Sequence, residues 1–234
     1  MSKKVLITGG NKGIGLAVSR AMLEFGYEII IVARDFNTCP LVGVENVTCI
    51  EYDLSNVDDL PALAKEVGNI DILINNAGYM QPKYSYDNYP KEAREHIMNV
   101  DLYTPVELMN IFSAHMKKQK YGRIVNTASI AGQIGHPDVW YGMAKAALIN
   151  ATKIYGKLLG AHGITVNCVA PSPTETDMQK DNSEERKAEF KKTVATGRFA
   201  QPEEVAKAIV WLATDCPEYI NGICIDINNC SYPR

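Results

Sequence analysis

Lys3-Lys4-Val5-Leu6-Ile7-Thr8-Gly9-Gly10-Asn11-Lys12-Gly13-Ile14-Gly15 is the stretch that decides the fold. Lys3 to Thr8 is a short β-rich run that ends in a glycine cluster. Ile14 to Phe25 follows with Leu16, Ala17, Ala21, Met22 and Phe25 at helical spacing, and Gly26 stops it. Glycines between a strand and a helix allow positive φ and let a pyrophosphate approach the free N–H groups of the helix start. Gly9, Asn11, Lys12, Gly13, Ile14 and Gly15 are therefore candidate phosphate-cradle residues. The spacing is GxxxGxG rather than the more familiar GxGxxG.

The pattern continues outward. Ile29–Ala33 is a continuous apolar strand, as expected where both faces of a parallel sheet are covered. Val47–Tyr52 and Ile70–Asn75 repeat it, with a short helix near Asp58–Val67 between them. A long helical stretch spans Lys91–Lys118, and Pro105 within it predicts a local kink near Asn99. Strand Arg123–Thr127, helix Val139–Leu159, strand Ile164–Val169, helix Pro202–Ala213 and strand Ile223–Ile227 complete the chain. Strands alternating with helices imply an α/β protein: one Rossmann-type, doubly wound parallel sheet of about seven strands, with helices on both faces. No repeat or Pro/Gly-rich linker divides residues 1–234, so a single domain is expected. Asp35–Asn46 is too short and too rich in turn residues to hold a full crossover helix, so the link between the second and third strands is predicted to be shortened.

With 234 residues, 46% hydrophobic and a net charge of -3, disorder and bulk electrostatic binding of nucleic acid are excluded. No apolar run approaches the ~18–20 residues of a membrane span. Six scattered cysteines without a CxxC pair suit reduced thiols and a cytoplasmic protein.

The TGxxxGIG form of the glycine loop resembles that of the short-chain dehydrogenase/reductase family, and the resemblance covers essentially the whole chain. Asn75-Asn76-Ala77-Gly78 resembles the family's NNAG. Asp53, followed by Leu54, resembles its adenine-holding acidic residue. Ser129 with Tyr141-Gly-Met-Ala-Lys145 resembles its active-site motifs, and Gly163-Ile-Thr-Val-Asn167 leads into its cofactor loop. The resemblance implies cofactor contacts from Asp53, Leu54, Asn75, Ala77, Gly78, Tyr141, Lys145, Pro171, Thr174 and Thr176. It also implies catalysis by Ser129, Tyr141 and Lys145, with a helix asparagine, here taken as Asn99, anchoring a relay water. Two departures stand out: Pro171-Ser172-Pro173 replaces the usual Pro-Gly, and Asn228-Asn229 replaces a glycine pair, although asparagine tolerates positive φ.

The residue types suit the chemistry. A YxxxK spacing alone means little in a chain with 12 tyrosines, and Tyr79…Lys83 repeats it around Pro82 in a loop. Tyr141 and Lys145 instead lie one turn apart in Ala/Leu-rich helical sequence, on one face. A ketone that accepts hydride must gain a proton, and an ammonium beside a tyrosine lowers its pKa from the ordinary ~10. Ser129 is placed to hydrogen-bond the developing oxyanion. His96, His115, His136 and His162 show no ligand spacing and read as solvated or partly packed; no metal site is expected.

Ala33 stands where an NAD-selective site would carry a carboxylate, and Arg34 and Lys12 supply two cations suited to a 2′-phosphate. NADP(H) is the expected cofactor, with Asp35 reaching back to the ribose as the alternative. Within the family the chain is most similar to β-ketoacyl-acyl carrier protein reductases, through Arg198–Val205 and Gly163–Met178. That likeness implies reduction of a 3-oxoacyl thioester in fatty acid or polyketide biosynthesis, with Lys120 and His162 as the positions matching the carrier-docking residues. Reduction of a free ketone and a non-catalytic dinucleotide-binding regulator are the alternatives, and the Asn99, Ser129, Tyr141 and Lys145 set argues against the second. The helical stretch from about Glu175 to Lys192, expected to cover the acceptor, is too generic to name it. Trp140, Ala144, Ala147, Leu148, Ala151, Ile154, Tyr155 and Leu158 form an apolar stripe, with Met143, Ala146 and Ile149 beside it. The 91–118 helix is also apolar on two sides, so a homodimer or homotetramer is expected.

Overall fold

The computed structural model describes residues 2–81, 84–180 and 182–233. Seven strands, β1 (Lys4–Thr8), β2 (Glu28–Ala33), β3 (Val47–Glu51), β4 (Ile72–Asn75), β5 (Gly122–Thr127), β6 (Ile164–Pro171) and β7 (Cys224–Ile227), pair in parallel in the order β3-β2-β1-β4-β5-β6-β7. Seven α-helices accompany them: α1 (Gly13–Glu24), α2 (Leu60–Val67), α3 (Lys91–Met98), α4 (Thr104–Gln119), α5 (Val139–Leu159), α6 (Glu184–Thr193) and α7 (Pro202–Ala213). Side chains alternate across each strand, so two cores form. Val5, Ile7, Ile29 and Ile31 pack on Val18 and Met22 of α1 and Val205 and Ile209 of α7. Leu6, Ile30, Val32 and Leu73 pack on Leu60 and Leu63 of α2, Leu108 and Phe112 of α4 and Leu159 of α5. The strand order reverses direction between β1 and β4, and the crevice at their carboxyl ends is where such sheets bind ligands.

The link between β2 and β3 holds no helix. Its turns instead bury Cys39 and Leu41 against the α1 side of the sheet. Burial of one leucine contributes roughly 1.5–3 kcal/mol, so this loop still seals its end of the core.

The long helical stretch is interrupted as Pro105 foretold. Asn99–Tyr103 forms a π-turn, with the Thr104 N–H reaching back five residues to the Asn99 carbonyl. A proline cannot donate to the carbonyl four residues before it, and widening the turn absorbs that mismatch. Met109 and Phe112 are buried by this chain's own core, so α4 is less open than its two-sided apolar pattern suggested. On α5 the expected stripe divides: Ala144 and Leu148 are buried, whereas Ile154 and Leu158 remain 49% and 62% exposed, and Met143 beside the stripe is 45% exposed. No helix among the described residues is long and apolar enough to cross a membrane. All six cysteines are free thiols.

Candidate active site

A cavity of about 450 Å³ opens at the carboxyl ends of β1, β2, β4, β5 and β6. At its centre the glycine loop is drawn tight. Gly9 has φ +65°, and a Cβ on Gly15 would stand 2.1 Å from the Gly9 carbonyl oxygen. Asn76 clamps the turn by donating its side-chain amide to the Thr8 and Gly9 carbonyls at 3.1 and 3.3 Å. The Thr8 hydroxyl accepts from the Asn76 and Ala77 N–H groups, which ties β1 to the segment after β4. Gly9, Asn11, Lys12, Gly13 and Ile14 line the cavity at the start of α1, where backbone N–H groups have no helical acceptor. Gly15 lies behind them, required by the turn rather than by contact. Asn75 does not face the cavity: its side chain is buried and donates to Asn126 Oδ1 at 2.9 Å, so the outward residue of the pair is Asn76. Adjacent strand residues point to opposite faces, which explains the correction.

Ala33, Arg34, Asp53, Leu54, Tyr79 and His96 line one end. Burial pushes the Asp53 carboxyl up, but the Ser55 backbone N–H and hydroxyl bring it below its ordinary value on balance. Burial depresses His96, whose ring stands edge-on to Tyr79 at 4.4 Å. The Arg34 guanidinium is 6.0 Å from the Tyr79 ring centroid. Lys12 is exposed and 3.8 Å from Asp177. This cradle of glycines, backbone N–H groups and a carboxylate fits a dinucleotide. Tyr79 is in the loop after β4, while Pro82 and Lys83 of the second YxxxK lie outside the described residues.

The other end holds the reactive side chains. Ser129 follows β5 and caps the turn Ile130–Gly132 by accepting the Ala131 N–H at 3.1 Å. That turn sits on α5 so closely that a Cβ on Gly132 would lie 2.6 Å from the Ala146 nitrogen and the Lys145 carbonyl carbon. The Asp138 carboxylate caps α5 by accepting the Tyr141 N–H at 3.2 Å. Tyr141 is thereby fixed beside Ser129, whose hydroxyl is close enough to favour its ionised form. Lys145 donates to the Thr127 carbonyl at 2.9 Å, is 3% exposed, and stands 5.6 Å from the Tyr141 ring centroid.

Two expectations are corrected here. Asn99 is not brought to Lys145, because its amide donates to the Ser55 carbonyl at 2.9 Å on the far side of the π-turn. Asp101 faces Lys145 instead: its Oδ1 is 2.9 Å from Nζ and its Oδ2 accepts the Tyr79 N–H at 3.0 Å. Asp101, flanked directly by the apolar Val100 and Leu102, was the overlooked signal. The second correction concerns acidity. Burial raises the Tyr141 pKa; Lys145 pulls it down, Asp101 opposes that pull, and the balance stays above the ordinary value. Burial alone would depress Lys145, but the Asp101 carboxylate and Tyr141 raise it on balance.

Pro171 ends β6 and, with Thr174 and Thr176, lines the cavity. Ser172 donates its N–H to the Ile227 carbonyl at 2.9 Å, and the Thr174 hydroxyl donates back to Ser172, so the doubled proline leaves a well-tied loop. Asn229 adopts φ +45°, as the departure from glycine required. His136 also lines the cavity, its ring 5.5 Å from that of Tyr141. Lys120 and His162 adjoin each other before β5 and β6, at the opposite end of the sheet. Within one chain they do not flank the cavity mouth, since a strand start and a strand end are separated by the strand's length. The covering segment is shorter than expected, a short turn Asp177–Gln179 followed by α6.

A family model described as Enoyl-(Acyl carrier protein) reductase matches residues 9–229. The chain belongs to the short-chain dehydrogenase/reductase family. As a short-chain dehydrogenase/reductase it is an oxidoreductase with a dinucleotide-binding fold. It is 33% identical over 239 residues to 3-oxoacyl-(acyl-carrier-protein) reductase FabG of Vibrio harveyi, covering 98% of this chain and 97% of the relative. The Aquifex aeolicus protein of the same name is 33% identical, covering 97% and 96%. A 3-oxoacyl-(acyl-carrier protein) reductase of Brucella melitensis superposes with TM-score 0.91 at 28% identity, covering 99% and 92%. A 4-hydroxyisoleucine dehydrogenase complexed with NADH shares this short-chain dehydrogenase/reductase fold, with TM-score 0.93 at 24% identity and 99% of both chains covered.

Proposed function

We propose that the protein is an NADP(H)-dependent reductase that converts a carbonyl, first of all a 3-oxoacyl thioester, to the hydroxyl. The observation that carries this is the placement of Ser129, Tyr141 and Lys145 at one end of a dinucleotide-sized cavity whose lining also includes the cations Arg34 and Lys12. When bound, the nicotinamide cofactor supplies hydride to the carbonyl carbon. Ser129 holds the carbonyl oxygen, and the Tyr141 phenol gives that oxygen its proton as charge develops. Lys145 donates to the Thr127 carbonyl and forms an ion pair with Asp101, and its remaining N–H capacity would serve a ribose hydroxyl. Gly9 and the first turn of α1 receive the pyrophosphate.

A second reading, reduction of a free keto acid, is favoured by Arg186 and His136, which line the acceptor side of the cavity. His136 Nδ1 accepts the Asp138 N–H at 3.2 Å, so the neutral ring presents its other nitrogen as a donor. The test is cofactor oxidation against acetoacetyl thioesters, free and carrier-linked, and against simple ketones and 3-oxo acids. Thioester turnover exceeding that of every acid by tenfold supports the first reading; the reverse selects the second. Run with both cofactors, Arg34→Ala/Lys12→Ala should raise the NADPH KM at least about tenfold, roughly 1.4 kcal/mol, and leave NADH nearly unchanged. Equal losses would move those cations to the pyrophosphate.

The exposed Met143, Ile154 and Leu158 face of α5 supports a homodimer or homotetramer built around a two-fold axis. Light scattering at micromolar concentration should report one of those masses, and a fully active monomer would overturn the assembly.

A further inference from the structure

Asp101 is fully buried and has no part in the reaction as derived so far. A carboxylate in such a place is costly unless its charge is matched, and here the match is Lys145. The pair sits directly beneath the cavity floor: a Cβ on Gly78 would stand 3.1 Å from Asp101 Oδ1 and 3.5 Å from Lys145 Nζ. Asp101 is itself held, through the Tyr79 N–H on one oxygen and the π-turn backbone behind it. The ammonium is thus held from two different elements, by a hydrogen bond to β5 and an ion pair to the π-turn.

The charges facing Tyr141 can be tallied. Lys145 lies on the same helix, and Asp101 comes from the π-turn. Asp138 caps α5 and is occupied by the Tyr89 hydroxyl and by the Gln81 and Tyr141 N–H groups. His136 stands 5.5 Å away, ring to ring, and burial keeps it below its ordinary pKa. Arg186 lines the same cavity from α6. A lone buried ammonium beside a phenol would favour tyrosinate. With Asp101 in contact with that ammonium, the local charge is cancelled.

We propose that Asp101 is a positioning residue for the proton-transfer step: its carboxylate orients the Lys145 ammonium and cancels its charge, so that Tyr141 works as a neutral proton donor suited to carbonyl reduction. The inference rests on Tyr141 being that donor. The direction of the Tyr141 shift, raised by burial and by Asp101 against the pull of Lys145, agrees with it.

Asp101→Asn removes the charge and keeps the shape. In the cofactor-free protein, the ultraviolet titration of Tyr141 is isolated by subtracting the same titration of Tyr141→Phe in each background. It should move to lower pH by about one unit, the size expected for removing a unit charge several ångströms away in a partly screened site. The pH limb of alcohol oxidation should move the same way, because oxidation needs tyrosinate. A merely structural role would lower the plateau and leave both midpoints in place, and unchanged midpoints in a folded variant overturn the inference. If Asp101→Asn does not fold, Asp101→Ser removes the same charge at smaller volume and reads the same shift. Turnover surviving in Tyr141→Phe would instead sink the reading on which the inference rests.

Discussion

Tyr141→Phe is expected to lower turnover by about 10²–10⁴-fold, the contribution of one well-placed general acid, while the KM for NADPH stays within about twofold of wild type. The phenol hydroxyl is the only group removed. Its ring remains packed at 7% exposure, and the cap that fixes the helix start joins the Tyr141 backbone N–H to the Asp138 carboxylate. The proposed cofactor contacts from the glycine loop and Lys145 are untouched. Retention of more than a tenth of wild-type turnover, with chemistry rate-limiting, would show that another group donates the proton. Tyr79→Phe is the control: the Tyr79 hydroxyl is taken by the Gln81 side chain and its ring stands edge-on to His96, so loss of that hydroxyl should have little effect on turnover.

Lys145→Met should cost stability as well as turnover. Among the described residues, the substitution leaves the buried Asp101 carboxylate the Tyr79 N–H as its hydrogen-bond partner. Breaking a buried pair by removing one member costs about 3–5 kcal/mol, which for a chain of this size lowers Tm by roughly 6–20 °C. The deficit should depend on pH. Burial already raises the Asp101 pKa against the pull of Lys145, and without the ammonium it rises further above its unfolded value, so the folded state of the variant takes up a proton more readily than the unfolded chain. Stability is then retained below the unfolded carboxylate pKa and lost as pH rises through the folded one. Adding Asp101→Asn to Lys145→Met should recover most of the lost Tm at neutral pH without restoring turnover. Melting of Lys145→Met within a few degrees of wild type at every pH would show that the pair carries no such cost.

The sequence by itself determined whatever depends on local spacing. Alternating apolar runs and helical faces specify a parallel sheet, and the helices Val139–Leu159 and Pro202–Ala213 were legible to the residue. The shortened β2–β3 link followed from counting residues, and Ser129, Tyr141 and Lys145 followed from a motif whose members lie on neighbouring elements. Only the tertiary structure decided which residue meets Lys145. Asn99 and Asp101 are both polar, both in the same helical stretch, and two positions apart. The π-turn at Asn99–Tyr103 rotates the helix beyond it, sends Asn99 to Ser55 and brings Asp101 to the ammonium. Side-chain periodicity assumes a constant 3.6 residues per turn, so a single widened turn displaces every later side chain around the axis. The acidity of Tyr141 was hidden for a related reason. Spacing places an ammonium nearby, but burial and the Asp101 carboxylate, both products of packing between segments distant in sequence, decide whether the phenol keeps its proton.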